Sequence, residues 1–153
     1  MTDSTTTGGT TRRAFVGAAA LTAAFDYRVA AVASSCGFTS FPRYKGGGLA
    51  DWAADRFMPR IGRVYHNDAA RIPFDFADVI ATLAPRPVFV SAPVRDPGRD
   101  IQGVKDALAG ASEVYRFKNV AGSLKAVHPD TIDEFPIEVR NEVYAWLDGH
   151  LRP

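Results

Sequence analysis

The sequence predicts one α/β domain in which about three parallel strands alternate with helices. The chain has 153 residues, and its hydrophobic content of 46% is sufficient for a single domain with a substantial core. Short Val- and Ala-rich segments are typical of buried strands, and segments with helical periodicity lie between them. Strands separated by helices favour parallel pairing through crossover connections, which gives a layered α/β architecture.

The amino terminus, before the first predicted element, has two interpretations. Residues 1–13 are mostly Thr, Gly, Ser and Arg, and we expect this segment to be disordered or signal-like. Arg12 and Arg13 precede a small apolar stretch, as in a twin-arginine export signal, but Asp26 and Arg28 interrupt that stretch. We therefore expect a cytoplasmic protein, with twin-arginine export as the alternative.

Three segments are predicted strands. Residues 27–35 are rich in Val and Ala and end at a Cys-Gly turn. Residues 86–92 form a second apolar run, which prolines flank on both sides. Residues 113–120 alternate apolar and charged side chains, which is typical of an edge strand or of a strand with one exposed face.

Four segments are predicted helices, and together with the strands they define a domain over residues 14–152. The first is Ala-rich and suited to close packing on a sheet, and the last has an apolar stripe with helical spacing behind a proline. An Asp at position 75 is a candidate cap for the second. The predicted helices are residues 14–25, 76–83, 101–109 and 136–151.

A long segment, residues 38–72, separates the first predicted strand from the next helix. It is aromatic, and three consecutive glycines interrupt it. We expect a lid-like excursion over the top of the sheet, where α/β enzymes place substrate-facing loops. Four side chains of this segment would either line a pocket or anchor the loop to the body, and anchoring is favoured. They are Trp52, Phe57, Met58 and Tyr65.

Composition argues against several classes of partner. The 18 Lys and Arg residues nearly balance the 17 Asp and Glu residues, and no basic block is present, so we expect no nucleic-acid partner. No apolar run approaches the roughly 20 residues of a membrane-spanning helix, so we expect no membrane partner. Cys36 is the single cysteine, and the three histidines lack the spacing of metal ligands. We therefore expect no metal and no cofactor.

Four phrases of the sequence, in their order, resemble the carboxyl-terminal half of α/β-hydrolases of the acetyl-xylan-esterase and dienelactone-hydrolase-like group. They are FDYRVAAVASSCGFTSF, DRFMPRI, PFDFADVIATLAPRPVFVSAPVRD and HPDTIDEFPIEVRNEVYAWLDGHL. The resemblance covers about residues 18–152. It implies a partial α/β-hydrolase fold, a small ester substrate, and a catalytic triad of serine, histidine and acid.

The nucleophile of such enzymes lies on a G-x-S-x-G elbow, and this sequence contains no such motif. The resemblance places the elbow at residues 11–17, where Arg13 takes the position of the nucleophile. Its guanidinium stays protonated and cannot attack a carbonyl carbon. The nearby alternatives, which lack the flanking glycines, are Ser4, Ser34, Ser35 and Cys36.

Asp96 corresponds to the triad acid through the family phrase A-P-x-x-D, at the carboxyl end of the second predicted strand. Asp100 is the second candidate for this role. The alternative interpretation is that Asp96 caps the turn before the helix that begins at residue 101, a common role for Asp beside Pro and Gly.

The histidine base is replaced in this sequence. Related enzymes have P-D-x-x-H-D-F-P before the last helix, whereas residues 129–136 read PDTIDEFP and put Asp133 at the position of the imidazole. A carboxylate of ordinary pKa is a weak base, and it would repel the carboxylate of Asp96. His128 lies five residues upstream. It is either the base or a solvated loop histidine.

Three functional hypotheses follow. The first is a truncated, esterase-like hydrolase that is inactive alone. The second is an active esterase that uses His128 and Asp96 with an unidentified nucleophile, or with an elbow from a partner chain. The third is a non-catalytic binding or assembly module. With only about three strands, the first strand forms an exposed parallel edge, so we also expect self-association there.

Overall fold

The computed structural model describes residues 19–132 and 134–151. Within this part of the chain, three parallel strands form one sheet in the order β1-β2-β3. They are β1 (Val32–Ser35), β2 (Val88–Ser91) and β3 (Leu124–Val127). Helices flank the sheet, so the predicted α/β class with about three parallel strands is confirmed.

Five α-helices accompany the strands in the described residues. They are α1 (residues 19–25), α2 (Arg60–Arg63), α3 (Phe76–Leu83), α4 (Ile101–Phe117) and α5 (Ile137–Leu151). Short 3-10 helices cover Ala69–Arg71 and Ala121–Ser123, and the segment Phe41–Gly47 contains 3-10 turns that are separated by a kink at residues 44–46. Among the predicted helices, 76–83 is confirmed at both bounds and 136–151 begins one residue later. The prediction for residues 14–25 is confirmed over 19–25, and its first residues lie outside the described part.

The predicted strand over residues 113–120 is wrong, because residues up to Phe117 continue α4 and the third strand follows at Leu124. Tyr115 is 1% exposed, whereas Phe117 is 85% exposed, so their alternation with charged residues does not describe one face of a strand. Helical spacing places Tyr115 with the earlier apolar residues of α4 against the sheet. The chain leaves the helix through Asn119, whose φ of 59° is left-handed.

The two faces of the sheet are covered by different helices. Val32, Val88 and Val90 face the core that contains α3 and α4. Phe89 points to the other face, where its ring meets that of Trp146 of α5 edge-on at 5.5 Å. Alternate residues of a strand point to opposite faces, so β2 supplies apolar side chains to both layers and is fully buried.

Side-chain hydrogen bonds connect the elements at the amino-terminal end of the sheet. The guanidinium of Arg86 donates to the carbonyl oxygens of Asp26 and Val29, both at 3.1 Å. The hydroxyl of Tyr115 donates to the carbonyl oxygen of Arg86 at 2.9 Å. Burial raises the pKa of Tyr115 to about 12, because the phenolate would lose its hydration. These contacts hold the start of β1, the start of β2 and the end of α4 together.

The aromatic residues of the 38–72 segment pack against the body of the domain. The indole of Trp52 lies 6.2 Å from the ring of Phe41, 5.8 Å from that of Tyr44 and 5.4 Å from that of Phe76. Met58 and Tyr65 are partly buried against the same core. The ring of Phe57 instead stacks with the neighbouring guanidinium at position 56. The contacts of Trp52, Met58 and Tyr65 are those of anchors, and the role of the segment as a lid stays a prediction.

Asp75 joins this segment to α3. Its carboxylate accepts the backbone N–H groups of Phe76 and Phe41, and Asp78 completes a capping box with the N–H of Asp75. Desolvation by burial raises the pKa of Asp75, although these N–H donors act in the opposite direction. The predicted cap of α3 is therefore confirmed, and it also fixes the entry to the long segment.

Candidate functional site

The candidate site is the carboxyl rim, which we define as Cys36 and residues 92–96 and 128–132, after the ends of the three strands. The loops that follow β2 and β3 run side by side. The N–H of Ala92 donates to the carbonyl oxygen of Val127 at 2.9 Å, and the N–H of Val94 donates to that of Pro129 at 3.1 Å. Parallel topology thus brings the loop that contains Asp96 and the loop that begins at His128 to one end of the sheet.

The carboxylate of Asp96 is buried and engaged on both oxygens. Its Oδ1 accepts the N–H of Gly98 at 2.7 Å, and its Oδ2 accepts an N–H of the Arg99 guanidinium at 3.0 Å. The side chains of Asp96 and Arg99 are only 2% and 7% exposed. Asp96 therefore stabilises its own turn and neutralises a buried cation, as buried charges require.

Arg99 is the ion-pair partner of Asp96, and the sequence analysis did not predict it. The signal was present as the turn D-P-G-R, in which an acidic and a basic side chain stand three residues apart. Proline and glycine between them favour a tight turn. Such a turn brings the carboxylate and the guanidinium together, whereas the resemblance directed attention to the carboxylate alone.

His128 is half-buried at the end of β3, where its Nδ1 lies 3.2 Å from the carbonyl oxygen of Ala92. A carbonyl oxygen only accepts, so Nδ1 carries the proton of this hydrogen bond. The imidazole is thereby held to the backbone after β2. In a triad, this nitrogen donates to the acid instead.

Asp96 and His128 are close in topology but are not joined in the described structure, where no hydrogen bond or ion pair links them. Each has a different partner: Arg99 and Gly98 for the carboxylate, and Ala92 for the imidazole. The rim therefore lacks the acid–imidazole contact that orients a catalytic base.

Asp100, the second candidate acid, caps helix α4. Its carboxylate accepts the N–H of Gln102 at 2.7 Å and an N–H of Arg43 at 3.2 Å. The backbone donor of Gln102, followed by the side chain of Arg43, keeps the pKa of Asp100 below its ordinary value. Asp100 thus caps α4, while Asp96 caps the turn just before it by accepting the N–H of Gly98, which confirms the alternative role that the sequence offered for Asp96.

Two of the candidate nucleophiles near the end of β1, Ser34 and Cys36, are buried, and Ser35 is half-buried. The hydroxyl of Ser34 is buried and has no hydrogen-bond partner among the described residues. Ser35 Oγ lies 3.7 Å from Cys36 Sγ, and this thiol approaches the carbonyl oxygen of Glu134 at 3.9 Å. Cys36 is buried and has a left-handed φ of 52°. Neither the burial of Ser34 nor that of Cys36 suits attack on an incoming ester.

Several predicted positions lie outside the described residues, namely Ser4, the elbow region 11–17 with Arg13, and Asp133. Within 19–132 and 134–151, no group of three or more His, Cys, Asp and Glu side chains is arranged to hold a metal ion. None of the helices in this part of the chain combines the length and apolar character needed to cross a membrane.

No protein-family model matches the sequence, and no curated protein matches it. Solved structures do resemble the fold. A carbohydrate esterase family 15 glucuronoyl esterase from Caldicellulosiruptor kristjansonii superposes with a TM-score of 0.72 at 24% identity, over 90% of this chain and 41% of that one. A glucuronoyl esterase from Solibacter usitatus gives 0.70 at 18% identity, over 89% and 40% of the two chains. An esterase from Pyrococcus furiosus gives 0.60 at 12% identity, over 90% and 51%.

These similarities show the fold. The chain has part of the α/β-hydrolase fold, as the sequence resemblance predicted, and it spans less than half of the length of the two glucuronoyl esterases. The fold alone does not establish an activity, which depends on the groups at the rim.

Proposed function

We propose that this chain is an esterase-like α/β-hydrolase unit that does not hydrolyse esters by itself. The observation that supports the proposal best is the use of the rim side chains. Asp96 is paired with Arg99, and the Nδ1 of His128 is bonded to a carbonyl oxygen, so neither is arranged to activate a nucleophile.

The sequence supports the same proposal from a second direction. No G-x-S-x-G elbow occurs anywhere in the 153 residues. Without an elbow, the fold lacks both the exposed serine hydroxyl and the backbone N–H that stabilises the oxyanion beside it. Loss of the serine hydroxyl or of this N–H each lowers the rate of ester hydrolysis by orders of magnitude. The nucleophile and the base act as a unit, so an acid alone does not replace them.

The reaction to test is the hydrolysis of carboxylic esters, in particular of esters carried by a carbohydrate. Glucuronoyl esterases have the highest TM-scores given above, which supports this choice. Hydrolysis of p-nitrophenyl acetate and of a methyl ester of glucuronic acid by the purified chain tests the proposal. We expect rates equal to those of buffer, and the same rates for Asp96→Asn and His128→Ala.

Lys105→Glu, on the exposed side of α4, is the matched control because it changes a charge outside the rim. A rate above buffer that falls in both Asp96→Asn and His128→Ala but not in Lys105→Glu would contradict the proposal. If thermal unfolding shows that both variants are folded, that result would show that the two rim residues are catalytic.

A further inference from the structure

The amino-terminal segment, residues 1–18, joins the described structure on the side of the carboxyl rim. Helix α1 ends at residue 25, and Arg86 holds the carbonyl oxygen of the next residue, Asp26, at the amino-terminal end of the sheet. Ala20 and Ala23 of α1 are buried, so the helix packs along the domain and runs antiparallel to β1, which it precedes. Its first residue therefore lies towards the carboxyl rim, and the segment leaves the domain there.

The loop that follows β3 crosses this rim. The carbonyl oxygen of Pro129 accepts the N–H of Val94, which follows β2, at 3.1 Å. Further along the loop, the carbonyl oxygen of Glu134 lies 3.9 Å from the thiol of Cys36, which directly follows β1. The loop therefore runs past the ends of all three strands and forms an outer surface of the rim.

Two apolar side chains project from this surface. Ile132 lies in the loop, two residues before Glu134, and is 53% exposed. Val94, which is bonded to the same loop through its backbone, is 39% exposed. Side chains of this kind lose an unfavourable contact with water when another apolar group covers them.

The same surface carries negative charge. Residues 129–138 contain four Asp and Glu residues and no Lys, Arg or His. Asp130 is paired with Arg95 at 2.8 Å, whereas Glu134 and Glu138 are exposed and form no ion pair within the part of the chain that the structure describes. A segment that covers this surface is therefore favoured if it is both apolar and basic.

Residues 12–18 of this chain have both properties. Arg12 and Arg13 precede an apolar run, Ala-Phe-Val, at positions 14–16. Arg12 lies seven residues before Ala19, so an extended chain reaches up to about 23 Å from the start of α1. Three strands at a spacing of about 4.8 Å span roughly 10 Å. The segment is thus long enough to lie across the rim.

We propose that residues 12–18 dock on the carboxyl rim of their own chain. The apolar part of the segment covers Ile132 and Val94, and its two arginines face Glu134 and Glu138. Burial of the apolar side chains favours this contact, and the opposite charges fix its direction. The rim is then a covered surface and not an open substrate site. The inference does not rest on the proposed function, because it concerns what covers the rim and not the chemistry of its residues.

Disulfide formation within the full chain tests this contact. In a Cys36→Ser background, Phe15→Cys with Ile132→Cys puts one thiol in the segment and one on the rim. Phe15→Cys with Lys105→Cys is the matched control, because Lys105 is exposed near the start of α4, at the same end of the sheet but outside the rim. Under mild oxidation, we expect the first pair to form an intramolecular disulfide about tenfold faster than the second, as measured by intact mass.

Charge reversal separates docking from the effect of the tether alone. Arg12→Glu with Arg13→Glu should slow formation of the rim disulfide about tenfold, because like charges then face each other. Glu134→Arg with Glu138→Arg should slow it to a similar extent. All four substitutions together should restore most of the rate, since the opposite charges are paired again.

Thermal unfolding of each variant shows whether it is folded, so that a lost contact is not mistaken for a lost fold. Equal rates of disulfide formation with Ile132→Cys and Lys105→Cys would overturn the proposal, and so would a rate that the charge reversals leave unchanged. A disulfide that joins two chains would also overturn it, because a second copy and not the chain's own segment would then contact the rim.

Discussion

The helical layer of α3 and α4 and the carboxyl rim use their residues in different ways. The layer is apolar, and it buries Phe76 and Tyr115 in the continuous core beneath the sheet. The rim is polar, and its two candidate catalytic groups are bonded to a neighbouring guanidinium and to a backbone carbonyl. An esterase would keep such groups available for a substrate. The difference shows that the described residues form a continuous core, while the two candidate catalytic groups of the rim are engaged in structural contacts.

The largest effect is expected in the helical layer. Phe76 is 1% exposed and contacts the rings of Phe38, Phe41 and Trp52. Phe76→Ala should lower the free energy of unfolding by about 3–5 kcal/mol, because it removes apolar contacts and leaves a cavity. Urea denaturation measures the change. Phe117→Ala, the same substitution at an 85% exposed position, should stay within about 0.5 kcal/mol of the wild type. Equal effects at both positions would contradict the assignment of the core.

The next effect is expected at the rim, where Asp96 would act as a structural residue. Asp96→Ala should lower the free energy of unfolding by about 3 kcal/mol, since the Arg99 guanidinium loses its buried carboxylate partner. A double-mutant cycle with Arg99→Met, monitored by urea denaturation, measures the coupling between the two side chains. A coupling energy near zero would show that the ion pair does not stabilise the rim.

A smaller effect at neutral pH, with a distinct pH dependence, is expected at Tyr115. Tyr115→Phe removes the hydrogen bond to the carbonyl oxygen of Arg86 and should cost about 1 kcal/mol. The pKa of Tyr115 in the folded chain is about 12, above its ordinary value of 10.0, so folding favours the neutral phenol. This preference for the neutral phenol stabilises the folded chain fully below pH 10, and about 2 kcal/mol of that stability is lost between pH 10 and pH 12.

Urea denaturation at several alkaline pH values measures that slope. The wild-type chain should lose more stability between pH 10 and 12 than Tyr115→Phe does, because only the wild type has this buried phenol. Tyr144→Phe is the matched control, since Tyr144 is 58% exposed, and its slope should equal that of the wild type. Identical slopes for all three proteins would contradict the burial of the Tyr115 hydroxyl.

The sequence was sufficient for the elements whose signals are local. The Val-rich run that contains β2, with its flanking prolines, and the Asp75 cap of α3 predicted those elements directly. The prediction of a strand at the end of α4 was wrong, because Val114, Tyr115 and Phe117 alternate with charged residues. The window is too short to distinguish the two-residue period of a strand from the 3.6-residue period of a helix. Burial of Tyr115 against Arg86 is a tertiary contact, and no local pattern contains it.

The position of the candidate site was predictable from the sequence, but the hydrogen-bond partners of its residues were not. The topology that puts Asp96 and His128 at one end of the sheet follows from parallel strands alone. Their partners do not follow from it, because the hydrogen bond between His128 and Ala92 joins two strands that are distant in sequence. The pairing of Asp96 with Arg99 could have been predicted from the local sequence, because the two residues lie in one turn. Only the structure shows that no hydrogen bond links Asp96 to His128.

The chain has part of the α/β-hydrolase fold, and we propose that it has no working nucleophile. Incubation with a fluorophosphonate, which phosphonylates activated serines with loss of fluoride, followed by intact-mass measurement, tests this proposal most directly. We predict that the mass of the folded chain is unchanged and equal to that of a urea-denatured control. A stoichiometric adduct on the folded chain, mapped to one residue and absent after denaturation, would contradict the account.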